Sequence, residues 1–129
     1  MIRILLILFF MAPPLAAQTL EGPDGPVRVS GMASGLDDPW SFAFLPDGSV
    51  LIAEKTGRLW RVQDRQKTQI RGVGPVAVVG QGGLLDVLVP RDFEQTRQVY
   101  FTHAIEQGSG VGTALATANL GEESGALSD

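Results

Sequence analysis

Short apolar runs separated by turns make up most of this chain. Residues 40–44 (Trp-Ser-Phe-Ala-Phe) alternate large apolar with small side chains, which predicts a strand with one strongly buried face. The Pro-Asp-Gly turn at 46–48 leads to a return strand at 50–53, and a third strand is predicted at 58–62. Because no segment beyond residue 17 has helical spacing, the pattern predicts an all-β fold.

The same strand–turn–strand unit recurs later in the chain. Residues 44–53 can be aligned with residues 88–102, so that Pro46 matches Pro90, 44 residues further on. The second copy has a longer turn, at 93–98, and its strands are predicted at 84–89, 99–102 and 113–118. A period of this length is typical of propeller blades. The repeat therefore predicts consecutive blades; a chance likeness between two strand–turn–strand units is the alternative.

The first 17 residues have the order of a secretory signal peptide. Arg3 supplies a positive start, residues 4–12 form an unbroken apolar run, and Leu-Ala-Ala stands at 15–17. The apolar run is shorter than the roughly 20 residues that a membrane-spanning helix needs. We therefore predict cleavage after Ala17, a periplasmic or secreted product and no membrane insertion of the mature protein. An uncleaved anchor or a buried helix is the alternative.

The composition is that of a globular protein with a mildly acidic surface. Hydrophobic residues make up 44% and charged residues 19% of the chain, and the net charge is −4. This balance gives no electrostatic footprint for nucleic acid or for anionic lipid. The chain has no cysteine, so disulfides do not stabilise it after export. Its stability must come from packing, from a cofactor or from a longer chain.

The most informative motif is Gly-Gln-Gly-Gly at 80–83, immediately before an apolar run at 84–89. The glycines allow positive φ and close approach of the backbone to a neighbour or a ligand. Gln81 would then be presented at the start of a buried strand, where its amide could bind a small molecule. A flexible turn with a merely solvated Gln81 is the alternative.

Taken together, these segments resemble the glucose/sorbosone dehydrogenase family, the soluble PQQ-dependent aldose sugar dehydrogenases. The resemblance extends from about residue 27 to residue 120, and the Pro-Trp-Ser-Phe-Ala-Phe motif at 39–44 with Gly-Gln-Gly-Gly-Leu-Leu-Asp-Val at 80–87 is its most specific part. It implies a six-bladed β-propeller. About the first two blades would lie in residues 27–129, after a polar lead-in segment at 18–26.

The resemblance also implies an activity. The chain would be the N-terminal part of an exported quinoprotein that oxidises aldose sugars at the anomeric carbon, with hydride transfer to PQQ, calcium as a second cofactor and an external electron acceptor. In the family a histidine from a later segment removes the hydroxyl proton, and the PQQ and calcium ligands also come from later segments. We therefore expect the general base and these ligands beyond residue 129, and the fragment alone to be inactive.

The resemblance implies a family role for one residue of this chain, Gln81, which would bind the sugar through its amide. His103 stands at the end of the strand predicted at 99–102 and does not inherit the role of the base; we expect a surface or partly packed side chain. Asp86 is predicted to form a structural bond to a neighbouring turn. The remaining charged candidates are expected to be solvated turn carboxylates or outer-face charges: Asp37, Asp38, Asp47, Arg58 and Arg61.

Two other functions stay open at the level of the sequence. The first is a non-catalytic β-propeller that binds a ligand or a partner, since one fold hosts many functions. The second is a propeller hydrolase such as a lactonase, which would require a cluster of carboxylates around a central metal ion. The Gln81 motif favours the dehydrogenase over both.

Overall fold

The computed structural model describes residues 18–121 and 125–128, which fall into two compact units, the first ending at Gly31 and the second beginning at Met32. In the first unit, β1 (Gln18–Gly22) and β2 (Gly25–Val29) form an antiparallel hairpin. The segment at 18–26, interpreted from the sequence as a lead-in, supplies β1 and the start of β2. The predicted signal peptide, residues 1–17, lies outside the described residues.

The second unit begins with an antiparallel four-stranded sheet. Its strands lie in chain order: β3 (Pro39–Phe44), β4 (Val50–Glu54), β5 (Leu59–Gln63) and β6 (Gln66–Ile70). The first three confirm the predicted strands. The fourth was not predicted, because Gln-Lys-Thr-Gln-Ile contains a single apolar residue. Ile70 is nevertheless buried and fixes the inner face of this edge strand.

A second four-stranded sheet follows and repeats the same order. It contains β7 (Leu84–Leu88), β8 (Gln98–Gln107), β9 (Gly110–Leu120) and β10 (Leu127–Ser128). The repeat predicted from the sequence is thus confirmed as two sheets of identical strand order. The prediction that no helix occurs was wrong, because the longer turn contains the short helix α1 (Phe93–Thr96). Phe93 is buried, and Arg97 ends the helix in the left-handed conformation.

The main hydrophobic core lies between the two sheets. It draws on both, with the buried side chains Leu51, Ala53, Leu59, Leu84, Val87, Val99, Phe101 and Leu120 among its members. Along β8 the inward residues alternate with outward ones, as the period of a strand requires. The core therefore holds β7, and with it the 80–83 loop that precedes β7, against the first sheet.

The outer faces of both sheets carry exposed apolar side chains. On the first sheet Phe42 is 64% and Phe44 59% exposed, and on the second Leu115 is 72% exposed. The strand at 40–44 thus has the two different faces that its alternation predicted, and the face with the large residues is the exposed one. The small residue between them, Ala43, faces the core instead. Among the described residues, no helix is long and apolar enough to cross a membrane.

Candidate functional site

Gln81 lies exposed in a tight turn at the start of β7. Gly80, just before it, has a φ of 57°, a left-handed conformation that glycine adopts without strain. The N–H of Gly82 donates to the carbonyl of Val79 at 2.8 Å and closes the turn. The turn therefore has a defined backbone, while the amide of Gln81 is open to solvent.

Positions 82 and 83 require glycine for a different reason from the one expected from the sequence. A Cβ on Gly83 would overlap the Lys55 carbonyl oxygen and come within 2.6 Å of Lys55 Cγ. A Cβ on Gly82 would lie 3.0 Å from Ala104 Cβ. Both glycines were expected to allow close approach to a substrate. The structure shows that they allow close approach to other parts of the protein, to Ala104 at Gly82 and to Lys55 at Gly83.

Hydrogen bonds hold the loop on the same two sides. The Leu84 N–H donates to the Lys55 carbonyl at 3.0 Å, and the Ala104 N–H donates to the Gly83 carbonyl at 2.8 Å. The Lys55 ammonium donates to the Gly80 carbonyl at 2.7 Å. Lys55 follows β4 directly and Ala104 belongs to β8, so the loop is bonded to both sheets.

A buried carboxylate lies next to Lys55 in the chain. Glu54 is 1% exposed and accepts hydrogen bonds from the Asp37 N–H at 2.7 Å and from the Arg58 guanidinium. Arg58 also donates to the Asp37 carboxylate at 2.8 Å. Burial raises the pKa of Glu54, but these hydrogen bonds outweigh it and hold the pKa below its ordinary value. The bonds to Glu54 and Asp37 raise the pKa of Arg58.

Arg58 was expected to be a charge on the outer face, and it has a structural role instead. Its guanidinium ties the segment before β3, at Asp37, to the end of β4 at Glu54. Asp37 was expected to be a solvated carboxylate, and its side chain is 68% exposed while it also pairs with Arg58. The signal in the sequence was Glu54 itself, an acid at the end of an apolar run, which requires a partner when it is buried.

The Pro-Asp-Gly turn contains a second satisfied cluster. Asp47 accepts from the Ser49 hydroxyl at 2.6 Å and from the Ser49 N–H at 2.9 Å, and Arg61 donates to both Asp47 and Ser49. The Ser49 hydroxyl bond is the main reason that the pKa of Asp47 lies below its ordinary value. Asp47 was expected to be a solvated turn carboxylate and Arg61 an outer-face charge; Asp47 is exposed in the turn, and the two side chains form an ion pair.

His103 is more deeply buried than the sequence indicated. The strand β8 continues past it to Gln107, so His103 lies within the strand, opposite Leu84. It is 9% exposed, and its ring lies 5.5 Å from that of Phe101. Within the described part of the chain, its Nδ1 has no hydrogen-bond partner. The ring is therefore largely enclosed by the protein and lies beside Phe101.

Asp86 also differs from its expected role. The pairing of β7 with β8 has a bulge between Leu84 and Asp86. The Asp86 carboxylate accepts a hydrogen bond from the Val87 N–H at 2.9 Å. Its own N–H donates to the Thr102 hydroxyl at 3.2 Å. The predicted bond to a neighbouring turn was wrong, because the carboxylate stabilises the bulge in its own strand.

The described residues contain no metal-ligating cluster, and the basic side chains beside their buried or paired carboxylates are already in ion pairs. Across 18–121 and 125–128, no group of three or more His, Cys, Asp or Glu side chains could hold a metal ion. Arg58 and Arg61, the basic side chains nearest to the two carboxylate clusters, are already bonded to protein carboxylates. We therefore assign Gln81 as the candidate ligand-binding residue and assign no cofactor ligand in this part of the chain.

Comparison with known proteins agrees with this geometry. Residues 36–129 match the family described as Glucose / Sorbosone dehydrogenase. The chain is 32% identical over 126 residues to the aldose sugar dehydrogenase YliI of Escherichia coli (strain K12), covering 94% of this chain and 34% of that protein. A solved glucose dehydrogenase is 41% identical, with a TM-score of 0.70 over 74% of this chain and 31% of the other.

A more distant solved structure shows the same fold. The PQQ-bound aldose sugar dehydrogenase of Streptomyces coelicolor is 24% identical, with a TM-score of 0.69 over 91% of this chain and 34% of the other. The chain thus spans about a third of the length of the proteins that it matches. Its two four-stranded sheets are two blades of the all-β, six-bladed propeller fold of those proteins. The chain belongs to the glucose/sorbosone dehydrogenase family.

Proposed function

We propose that this chain is part of an exported, PQQ-dependent dehydrogenase that oxidises aldose sugars at the anomeric carbon. Membership of the family and the name of the Escherichia coli relative support sugar oxidation. The PQQ-bound Streptomyces coelicolor protein supports the quinone. Calcium is proposed as the second cofactor on the family resemblance. Because the chain spans about a third of its relatives, the activity is assigned to the whole protein.

The observation that carries the proposal is the presentation of Gln81. Its backbone is fixed by bonds on both sides of the loop, whereas its side chain is exposed. An amide offers a donor and an acceptor without a change of charge, which suits a sugar hydroxyl. Gln81 therefore binds and orients the sugar in this proposal. The base that removes the proton and the ligands that hold the cofactors lie outside the described residues.

The activity can be tested with the full-length protein and two kinds of sugar, free aldoses and methyl glycosides whose anomeric hydroxyl is blocked. Dye reduction should require an aldose together with added PQQ and calcium. Methyl glycosides, whose anomeric hydroxyl is blocked, should not be oxidised. Turnover of a methyl glycoside would contradict the proposed position of oxidation, and a lack of PQQ-dependent turnover would contradict the proposed activity. Sugar binding without turnover would support a non-catalytic binding propeller instead.

The role of Gln81 can be tested in the same assay. Gln81→Ala removes one or two hydrogen bonds of about 1 kcal/mol each, so activity should fall roughly five- to thirtyfold. PQQ binding, followed by its absorbance, should persist. Gln95→Ala is the matched control, since Gln95 is an exposed amide in α1. Equal losses of activity in the two variants would contradict the assignment of Gln81 as the sugar-binding residue.

Export is proposed from residues 1–17 alone. N-terminal sequencing of the secreted protein should give Gln18 as the first residue, with an uncertainty of one position. A membrane-bound product that retains Met1 would contradict this proposal.

A further inference from the structure

We propose that Lys55 is the positioning residue for Gln81, and that it holds the 80–83 loop at both ends. The inference rests on the proposed function, in which Gln81 contacts the sugar. Lys55 lies in the turn between β4 and β5, 26 positions before Gln81, and no sequence motif connects the two. Their relationship is visible only in three dimensions.

The backbone of Lys55 is fixed first. Its N–H donates to the Asp38 carbonyl at 3.0 Å, and its carbonyl accepts the Leu84 N–H at 3.0 Å. The second bond holds the end of the loop, where β7 begins. The position of Lys55 beside the first sheet is therefore fixed by its backbone hydrogen bonds alone.

The side chain then reaches the start of the loop. The ammonium donates to the Gly80 carbonyl at 2.7 Å and lies 5.3 Å from the centre of the Trp40 ring. A charged donor makes a hydrogen bond roughly twice as strong as a neutral one, and the ring face attracts the cation. Gln81 is enclosed between a bond at Gly80 and a bond at Leu84, and both bonds belong to Lys55.

The absence of a side chain at Gly83 makes room for Lys55. A Cβ on Gly83 would come within 2.6 Å of Lys55 Cγ, so the missing side chain leaves room for the stem of the lysine. The Lys55 stem thus passes directly beside the loop on its way to Gly80. A lysine, with its length and charge, satisfies each of these contacts together.

The chain offers a matched control in Lys67. Its ammonium donates to the Gly35 carbonyl and lies 4.6 Å from the centre of the Trp60 ring. These are the same two kinds of contact that Lys55 makes, but Lys67 lies in β6 and none of its side-chain contacts in the described part of the chain is to the 80–83 loop. Lys67→Met therefore removes an equivalent ammonium and leaves the loop alone.

The first test measures the loop without reference to activity. Amide hydrogen exchange is followed at Gly82 and Leu84 in the full-length protein and in its Lys55→Met, Lys55→Arg and Lys67→Met variants. Lys55→Met should speed exchange at both amides roughly five- to tenfold, because the loop opens locally when the charged bond is lost. Lys55→Arg should restore much of the protection, and Lys67→Met should change neither amide. Unchanged exchange in Lys55→Met, or an equal rise in Lys67→Met, would overturn the inference.

The second test links the loop to the sugar. With Gln81→Ala as the reference, Lys55→Met should raise the KM for the aldose roughly fivefold with a smaller fall in kcat, and Lys55→Arg should recover it. A raised KM in Gln81→Ala with an unchanged KM in Lys55→Met would overturn the positioning role. If Gln81→Ala leaves KM unchanged while loop exchange responds as expected, the sugar contact of Gln81 fails and the role of Lys55 in holding the loop stands.

Discussion

The buried carboxylate of Glu54 accepts a hydrogen bond from the guanidinium of Arg58 across the turn that also contains Lys55. The Asp37 N–H donates a second hydrogen bond to Glu54, at 2.7 Å. The turn is therefore held on its two sides, by the ion pair at Glu54 and by the bonds of Lys55 to the 80–83 loop. The stability of this turn and the position of Gln81 are linked through adjacent residues.

Glu54→Gln should destabilise the protein and change its response to acid. The variant keeps the shape of the side chain but loses charged hydrogen bonds, which are worth about 1.5–3 kcal/mol each before solvent screening at Arg58 is considered. The free energy of unfolding at pH 7 should fall by about 1–2 kcal/mol. Urea unfolding of the full-length protein measures this difference.

The pH dependence of the same variant follows from the pKa of Glu54. Because this pKa lies below its ordinary value of 4.5, the stabilisation is fully present above pH 4.5 and is lost as the pH falls through the lowered pKa. The stability difference between the wild type and Glu54→Gln should therefore shrink below pH 4.5. Glu94→Gln, an exposed acid in α1, serves as the control. A difference that stays constant from pH 6 to pH 3 would contradict the assigned cause.

Gly83→Ala should be far more damaging than an alanine at an open glycine. The new Cβ would overlap the Lys55 carbonyl oxygen, so the loop must move away from the first sheet. Overpacking of this kind costs about 1–3 kcal/mol. Gly110→Ala is the control, because its nearest neighbour, the Gln107 carbonyl oxygen, lies 3.9 Å from the new Cβ. Thermal melts of both variants test the prediction, and equal melting temperatures would refute it.

Much of the strand pattern was accessible from the sequence. The strand at 40–44 was found because its large and small residues alternate, and the strand at 50–53 because it is a continuous apolar run. The missed elements include the strand β6 and the helix α1. The first is polar except for Ile70, and the second is a four-residue turn without a side-chain cap. Local pattern carries little signal for elements of either kind.

The candidate site, like the fold, was only partly predictable from the sequence. The glycines around Gln81 marked the loop, because positive φ and close approach are properties of the residue type. What the glycines approach was not predictable, since Lys55 and Ala104 lie far from the loop in the chain. The orientation of residues 40–44 was also unpredictable, because the alternation shows two faces and not which of them packs against the second sheet.

The exposed outer faces should govern the behaviour of residues 18–129 expressed alone. Phe42, Phe44 and Leu115 are each more than half exposed, and Leu88 is 53% exposed. Large exposed apolar patches favour association. We expect concentration-dependent aggregation and a poorly cooperative melt, measured by light scattering and calorimetry. Phe44→Ser together with Leu115→Thr should reduce the aggregation, since both changes remove exposed apolar surface. A soluble monomer with a sharp two-state transition would contradict this expectation.

His103→Leu should separate packing from chemistry at the buried histidine. The imidazole Nδ1 has no partner within the described residues and the ring lies against Phe101, so an apolar side chain of similar size removes an unsatisfied polar atom and keeps the contact. The free energy of unfolding should stay the same or rise by up to about 1 kcal/mol. The kcat of the full-length enzyme should remain within about twofold, whereas removal of a general acid or base lowers it roughly 10²- to 10⁴-fold. His103→Ala is the companion variant; it should lower stability by leaving a cavity and leave the kcat of the folded fraction unchanged. A large loss of kcat in His103→Leu at unchanged stability would show that this histidine acts in the reaction.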